Sequence, residues 1–279
     1  MNISIGQYIP GNSLLHRADP RTKIIVTLIY MVLVILINDY VGYIFAGAFL
    51  LAELIVSRIK PKLILKSIEP VLVLLLFTAV LNILFYKGES EPLFAWKFIE
   101  IYKEGISFAI RMIIRIVLLV TGASVLTYTT TSVKLTDGLE KLMSPLTIIK
   151  FPAHEVAMMM SIALRFIPIF VEETEKIMKA QSARGSDFDT GRLGEKIRSF
   201  VPILVPLFVS AFRRADELST AMEARCYRGG KKRTRYTVLK FTKADVAIFI
   251  VTAVLAALII VNRYVWPFKN LVDIVKGLF

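Results

Sequence analysis

The sequence predicts an all-α membrane protein of about five transmembrane helices plus long amphipathic cytoplasmic helices. Three observations predict it. Apolar residues make up 56% of the 279 residues and charged residues only 20%, against about half and a quarter in soluble domains. A mean hydropathy of +0.64 calls for a second solvent around much of the surface. The apolar residues also gather into long runs, whereas residues 130–243 hold 20 Lys and Arg against 12 Asp and Glu, and so carry +8 of the +13 net charge.

The first two runs, residues 24–37 and 40–56, are separated only by Asn38-Asp39, and Glu53 is the one charge in the second. They read as a tight helical hairpin with arms slightly short of the roughly 20 residues that span hydrocarbon. Residues 71–86 and 106–128 supply the third and fourth spans, and the uncharged run 246–261 the fifth. Two more apolar stretches, 156–170 and 200–212, are interrupted by Arg165 and Pro168 or by Pro202 and Pro206. They read as too broken to cross independently; if both crossed, the count would be seven. No cleavable leader is expected, since the first apolar run starts only at Ile24.

Cationic loops resist translocation. His16, Arg17, Arg21 and Lys23 precede the first span, and Arg58, Lys60, Lys62 and Lys66 follow the second, while the turn between them has no cation. Residues 87–104 have three Lys against four Glu. The expected topology is therefore a cytoplasmic N-terminus, four spans in residues 1–129, a cytoplasmic region at 130–243, and a last span in 244–279 that takes the C-terminus outside. Asp19 before Pro20 reads as the cap of the first span's helix. Gly42, Ala46, Ala48 and Ala52 are small enough for close helix approach.

Composition excludes several chemistries. One Cys and two His cannot build a disulfide framework or a tetrahedral zinc site. His154-Glu155 opens like a zinc-protease helix, but the position four residues after His154 is Met158. Gly229-Gly230-Lys231-Lys232 lacks the earlier glycine and the following Ser or Thr of a phosphate loop. No cofactor is expected. Arg228, Lys231, Lys232, Arg233 and Arg235 with Tyr227 and Tyr236 stand just before a span, where cations meet anionic lipid headgroups rather than nucleic acid. Glu172, Glu173 and Glu175 read as a solvated face. Arg111 and Arg115 lie inside the fourth span; Arg111 can snorkel outward, and Arg115 needs a partner in the bundle.

The cytoplasmic region holds two units of one design. Residues 165–185 and 206–226 each begin with a Pro-containing apolar helix start, turn amphipathic and charged, and stop at an Ala-Arg pair. The first closes on Ala183-Arg184-Gly185, with Gly185 suited to the left-handed position that ends a helix and Arg184 to the negative end of its dipole. The second closes on Ala224-Arg225-Cys226, where Cys replaces Gly and Arg228-Gly229-Gly230 is expected to supply the stop. Within it Phe208, Phe212, Ala215, Leu218 and Met222 recur at helical steps and form a stripe that requires a partner. Capping alone explains one terminal Arg. Two, 41 residues apart on similar helices, suit a pair of plugs, because a guanidinium fork matches carboxylates or carbonyls in a groove.

With the opening Leu15-His16-Arg17-Ala18-Asp19-Pro20-Arg21-Thr22-Lys23 and the segment 161–168 (SIALRFIP), these two signatures make the chain resemble, over essentially its whole length, the transmembrane T component (EcfT) of energy-coupling factor (ECF) transporters. The resemblance implies a non-catalytic membrane subunit of an ABC-type importer. Two cytoplasmic ATPases would hydrolyse ATP, a small membrane S component would capture a vitamin or metal ion, and this chain would join them. It implies that Ala183, Arg184, Gly185, Ala224, Arg225 and Cys226 dock on the ATPases. Phe208 and Phe212 are expected to rest against the S component or the membrane interface. A lipid-directed enzyme built on Arg111, Arg115 and Glu53 or Glu69 lacks a nucleophile arranged with a base. A lone permease would place an inverted repeat at the midplane, whereas the repeat here is charged and cytoplasmic.

Overall fold

The computed structural model describes residues 8–86, 88, 94–96, 99–185, 193–227, 229, 239 and 241–264. The basic cluster Arg228, Lys231, Lys232, Arg233, Arg235 and Tyr236, with Gly230, lies outside them.

The chain forms two compact units, one from residues 4–138 with 239–279 and one from 139–238. In the first, a single turn α1 (Leu14–Arg17) precedes α2 (Pro20–Leu36), α3 (Tyr40–Ser57), α4 (Pro61–Phe85) and α5 (Lys103–Thr129), and α9 (Lys243–Tyr264) closes it. Between α4 and α5 the backbone makes a small antiparallel hairpin, β1 (Phe94–Trp96) on β2 (Ile99–Ile101), with Ala95 opposite Glu100. Helix α6 (Ser132–Met143) and a 3₁₀ stretch (Ser144–Ile149) lead to the second unit's two long helices, α7 (Ala153–Ala183) and α8 (Leu193–Ala224).

Asp19 caps α2 as the sequence indicates: its Oδ1 accepts the Arg21 N–H at 2.9 Å and Pro20 opens the helix. Helix α4 begins ten residues before the expected third span and runs through Pro70, so Lys62 and Lys66 are on its first turns rather than in a loop. Proline removes one helical hydrogen bond but does not by itself end a helix whose flanks are held by packing. The same correction applies to the stretches read as broken: α7 passes through Pro168 and α8 through Pro202 and Pro206 without interruption.

Among the described residues five helices are long and apolar enough to cross a membrane, α3, α4, α5, α7 and α9 up to Arg263. The number matches the expectation but the membership does not. Helix α7 enters, and α2, with 17 residues, is one turn of helix or so short of a full span. Instead α2 is the centre of its unit. Val26, Tyr30, Leu33 and Val34 are buried against Ala46, Phe49 and Leu50 of α3, Leu118 of α5, and Leu255 and Ile259 of α9. The Tyr30 ring stacks on Phe49 with centroids 5.5 Å apart. Of the four small residues on α3, Gly42 and Ala46 are buried, whereas Ala48 and Ala52 are exposed.

Helix α5 meets α2 tightly at Gly122, where an added Cβ would sit 2.7 Å from the Tyr30 ring. Since Tyr30 is 1% exposed, it has nowhere to move. Gly122→Ala is expected to lower the thermal midpoint of the detergent-solubilised protein, with overpacking of about 1–3 kcal/mol outweighing the gain in helix propensity. Gly47→Ala on α3, which meets no atom within 4 Å, should leave it unchanged or raised; equal behaviour of the two variants would contradict this packing.

Candidate functional site

The two Ala-Arg signatures end the two long helices of the second unit, each with a left-handed residue directly after the arginine. Ala183 is the last residue of α7, Arg184 follows at φ −88°, and Gly185 takes the left-handed φ of +90° while its N–H reaches Ser182 O at 3.0 Å. Ala224 is the last residue of α8, and Cys226 takes φ +56° with its N–H on Glu223 O at 2.8 Å. Tyr227 N–H then reaches back to Met222 O at 3.0 Å, completing a Schellman closure. The expectation that the glycines at 229–230 stop this helix is therefore corrected. Cys226 itself occupies the left-handed position, which costs a non-glycine residue about 1 kcal/mol.

Arg184 and Arg225 thus occupy equivalent cap positions. Ala183, Arg184, Gly185, Ala224, Arg225 and Cys226 are all exposed, and neither guanidinium has a hydrogen bond or ion pair among the described residues. The structure does not bring the two signatures together. Gln181 Nε2 donates to Pro202 O at 3.4 Å, while Glu173 Oε1 accepts from Ser210 Oγ at 2.5 Å and its Oε2 from Arg214 Nη2 at 3.1 Å. Eight residues forward on α7 correspond to eight backward on α8, so the helices are antiparallel. From the Glu173–Ser210 contact, Arg184 lies about 16 Å along α7 and Arg225 about 22 Å along α8 in the opposite direction at 1.5 Å per residue. The two cations stand at opposite ends of the pair. A groove of about 700 Å³ lined by Ile167, Phe170, Val171, Thr174, Met178 and Ser182 runs up to the Arg184 end.

Glu173 is no solvated carboxylate; it holds α7 to α8. On α8 the face that packs against α7 is not the one that carries Phe208 and Phe212. Ile203 and Ser210 are buried, and Leu207, Ala211 and Arg214 half-buried, whereas Phe208 and Phe212 are 61% and 69% exposed with Ala215 beside them. Helix α8 is apolar on two faces here, and periodicity cannot say which one turns inward. His154 is also accounted for, its Nδ1 lying 3.0 Å from Glu140 Oε1.

In the first unit the opening motif does more than cap and orient. Asp245, fully buried at the start of α9, accepts the Asp19 N–H at 2.8 Å, and from Thr242 the backbone N–H and Oγ1–H, both at 2.7 Å. Lys23, expected among solvated loop cations, is 6% exposed and donates to Thr129 O at 3.0 Å and Thr130 Oγ1 at 3.2 Å. His16 Nε2–H donates to Ile9 O at 3.0 Å and Nδ1 accepts from Ser13 Oγ at 2.6 Å. That arrangement suits a neutral ring, and burial holds its pKa below the ordinary imidazole value. Sequence reasoning missed Asp245, although Thr242-Lys243-Ala244-Asp245 before an apolar run has the form of a capping box. At the far end Arg115 finds its partners, donating from Nε to Tyr43 OH at 3.1 Å and from Nη2 to Ile37 O at 2.6 Å, and Arg111 lies over the Tyr40 ring at 5.9 Å.

A family model described as CbiQ, cobalt transport protein, matches residues 11–236. Proteins named energy-coupling factor transporter transmembrane protein EcfT from Ruminiclostridium cellulolyticum, Clostridium kluyveri and Bacillus subtilis are 53%, 51% and 45% identical to the chain. The alignments cover 95%, 95% and 93% of this chain and 98%, 98% and 97% of those proteins. The chain belongs to the EcfT family. As an EcfT-family chain it is a multi-pass membrane component of the energy-coupling factor transporter class.

The buried node is testable apart from transport. Asp245→Ala strands three donors and is expected to cost about 3 kcal/mol of stability, read as a lowered melting temperature in detergent. Asp245→Asn, which keeps one acceptor, should cost less, and Asp216→Ala on the exposed side of α8 almost nothing. An unchanged melt for Asp245→Ala would remove the node from the account of α9 packing.

Proposed function

We propose that this chain is the non-catalytic coupling subunit of an ECF-type importer, with Arg184 and Arg225 as its two anchors on two cytoplasmic ATPases. The observation that carries the reading is the pair of exposed guanidinium groups without a partner among the described residues, each followed directly by a left-handed residue and standing at opposite ends of one antiparallel helix pair. Anchors so far apart suit two separate sockets better than one. A forked cation in a groove gains charge-assisted hydrogen bonds that a solvated arginine lacks. A rigid helix pair gripped at both ends then transmits relative motion of the two ATPases to whatever rests on its middle, where Phe208 and Phe212 offer an apolar face to an S component. That S component would hold the vitamin or metal ion and reorient with it. The orientation that fits has the N-terminus and residues 130–243 on the cytoplasmic side, with α7 lying along the membrane rather than across it, and the C-terminus outside.

Loss of one anchor contact should cost on the order of 1.5–3 kcal/mol at that joint. Single Arg→Ala variants are expected to keep the ATPases bound through the surviving anchor while uptake falls, and the double variant to release them. Co-purification of ATPases and uptake of labelled vitamin are measured for Lys, Ala and Glu variants at both positions, with membrane abundance checked by immunoblot. If the arginines were only helix caps, Arg→Lys would be nearly neutral and even Arg→Ala would lose a few tenths to about 1 kcal/mol. Wild-type uptake in the Arg184→Glu, Arg225→Glu double variant at normal abundance would end the coupling role.

A further inference from the structure

Glu53 is the one charged residue of α3, four residues before the helix ends at Ser57. It is half-buried and makes no hydrogen bond or ion pair among the described residues. A carboxylate set among apolar walls is costly unless something supplies a donor. Its surroundings do not: Glu53 lines a groove of about 440 Å³ between α1, α3 and α9 whose walls are apolar, with Leu15, Phe49, Val56, Ile248 and Val251 among them. Lys243, the first residue of α9, lies on the same groove, exposed and likewise without a partner among the described residues. The two charges do not neutralise each other, since no ion pair joins them within 4.0 Å.

An occupant that satisfies this groove is apolar along most of its length and carries both charges at one end. It needs N–H donors for Glu53 and an anion for Lys243. Glu53 lies only about 6 Å along the axis from the end of α3, and Lys243 begins α9, so both charges belong at headgroup depth. The volume is within the usual range of ligand pockets, about 300–1,000 Å³. We propose that the α1–α3–α9 groove binds a zwitterionic phospholipid with a primary amine, phosphatidylethanolamine. Its ammonium donates to Glu53, its phosphate faces Lys243, and an acyl chain lies along Phe49, Ile248 and Val251. Choline lipids offer no N–H to the carboxylate, and phosphatidylglycerol brings only an anion. The site is separate from the coupling role proposed for Arg184 and Arg225.

The full-length chain in detergent is titrated with phosphatidylethanolamine, phosphatidylcholine and phosphatidylglycerol of matched acyl chains, and bound lipid is counted by native mass spectrometry. The expected result is preferential retention of phosphatidylethanolamine, weakened about tenfold in Glu53→Gln with the other two lipids unaffected. Glu53→Lys should shift the preference to phosphatidylglycerol, a gain that misfolding cannot mimic. Equal retention of the three lipids by the unaltered chain, or an intact preference in Glu53→Gln, would overturn the proposal. So would competition by soluble phosphoethanolamine, which would mark the occupant as a small molecule rather than a lipid. Loss of a partner membrane protein from Glu53→Gln with lipid binding unchanged would assign the groove to a partner helix and overturn it equally.

Discussion

The backbone groups left unpaired at the two ends of α2 set the terms for the whole first unit. A helix of 17 residues is about 25 Å long at 1.5 Å per residue, shorter than the roughly 30 Å hydrocarbon core of a bilayer, and both of its ends, at Asp19 and Ile37, are buried in the unit. Its orphan N–H and C=O groups therefore lie where water cannot serve them all. At the N-terminus Asp19 takes the Arg21 N–H, and Asp19's own N–H is taken by Asp245. At the C-terminus Arg115 donates to Ile37 O and Arg263 to Leu36 O at 2.8 Å. Anions meet the positive end of the helix and cations the negative end, the favourable sense of the dipole. Apart from Asp19 these partners come from α5 (Arg115) and α9 (Asp245 and Arg263), so satisfying α2 fixes where α5 and α9 must be.

The same contacts explain how a helix from the C-terminal part of the chain closes a unit built from the N-terminal part. Asp245 serves two helix starts at once: it caps α9 through Thr242 and receives α2 through Asp19, 226 residues away in sequence. Nearby, Lys23 covers the carbonyl of Thr129 at the end of α5. Two helix N-termini and one C-terminus are thus compensated by two carboxylates and one ammonium in a volume with little water. The pattern of charge near the membrane that fixes topology and the pattern that fixes packing are here partly the same residues. This is why a reading of Arg and Lys as solvated loop charges accounts for only half of the opening motif.

Much of the membrane architecture was legible in the sequence, because long apolar runs and the Asp19-Pro20 cap act locally. The failures share a cause. Pro168, Pro202 and Pro206 read as breaks, since the cost of a proline is local while the packing that offsets it is not. The inward face of α8 was illegible because both faces are apolar, and Glu173, read as solvated, is what pairs with Ser210 and Arg214 across to α7. Asp245 and Lys23 were invisible as a cluster because their partners are more than a hundred residues away. The two Ala-Arg ends were legible as a repeat, but not their placement at opposite ends of the pair.

The second of those ends carries the sharper physical argument. Glycine closes α7 at no steric cost, yet α8 is closed the same way by Cys226 at φ +56°. A glycine stop three residues later at Gly229, which does adopt φ +81°, would have extended the helix and avoided the strain. Extension would also have rotated Arg225 from the cap, where its side chain leaves the helix end, to the flank of a further turn. A left-handed residue immediately after each arginine is what keeps the two guanidinium groups in equivalent settings. The strain at Cys226 is therefore the cost of position rather than of stability, since capping by itself is better served by the glycine downstream. That asymmetry favours reading Arg225, with Arg184, as a presented group whose partner lies outside the chain.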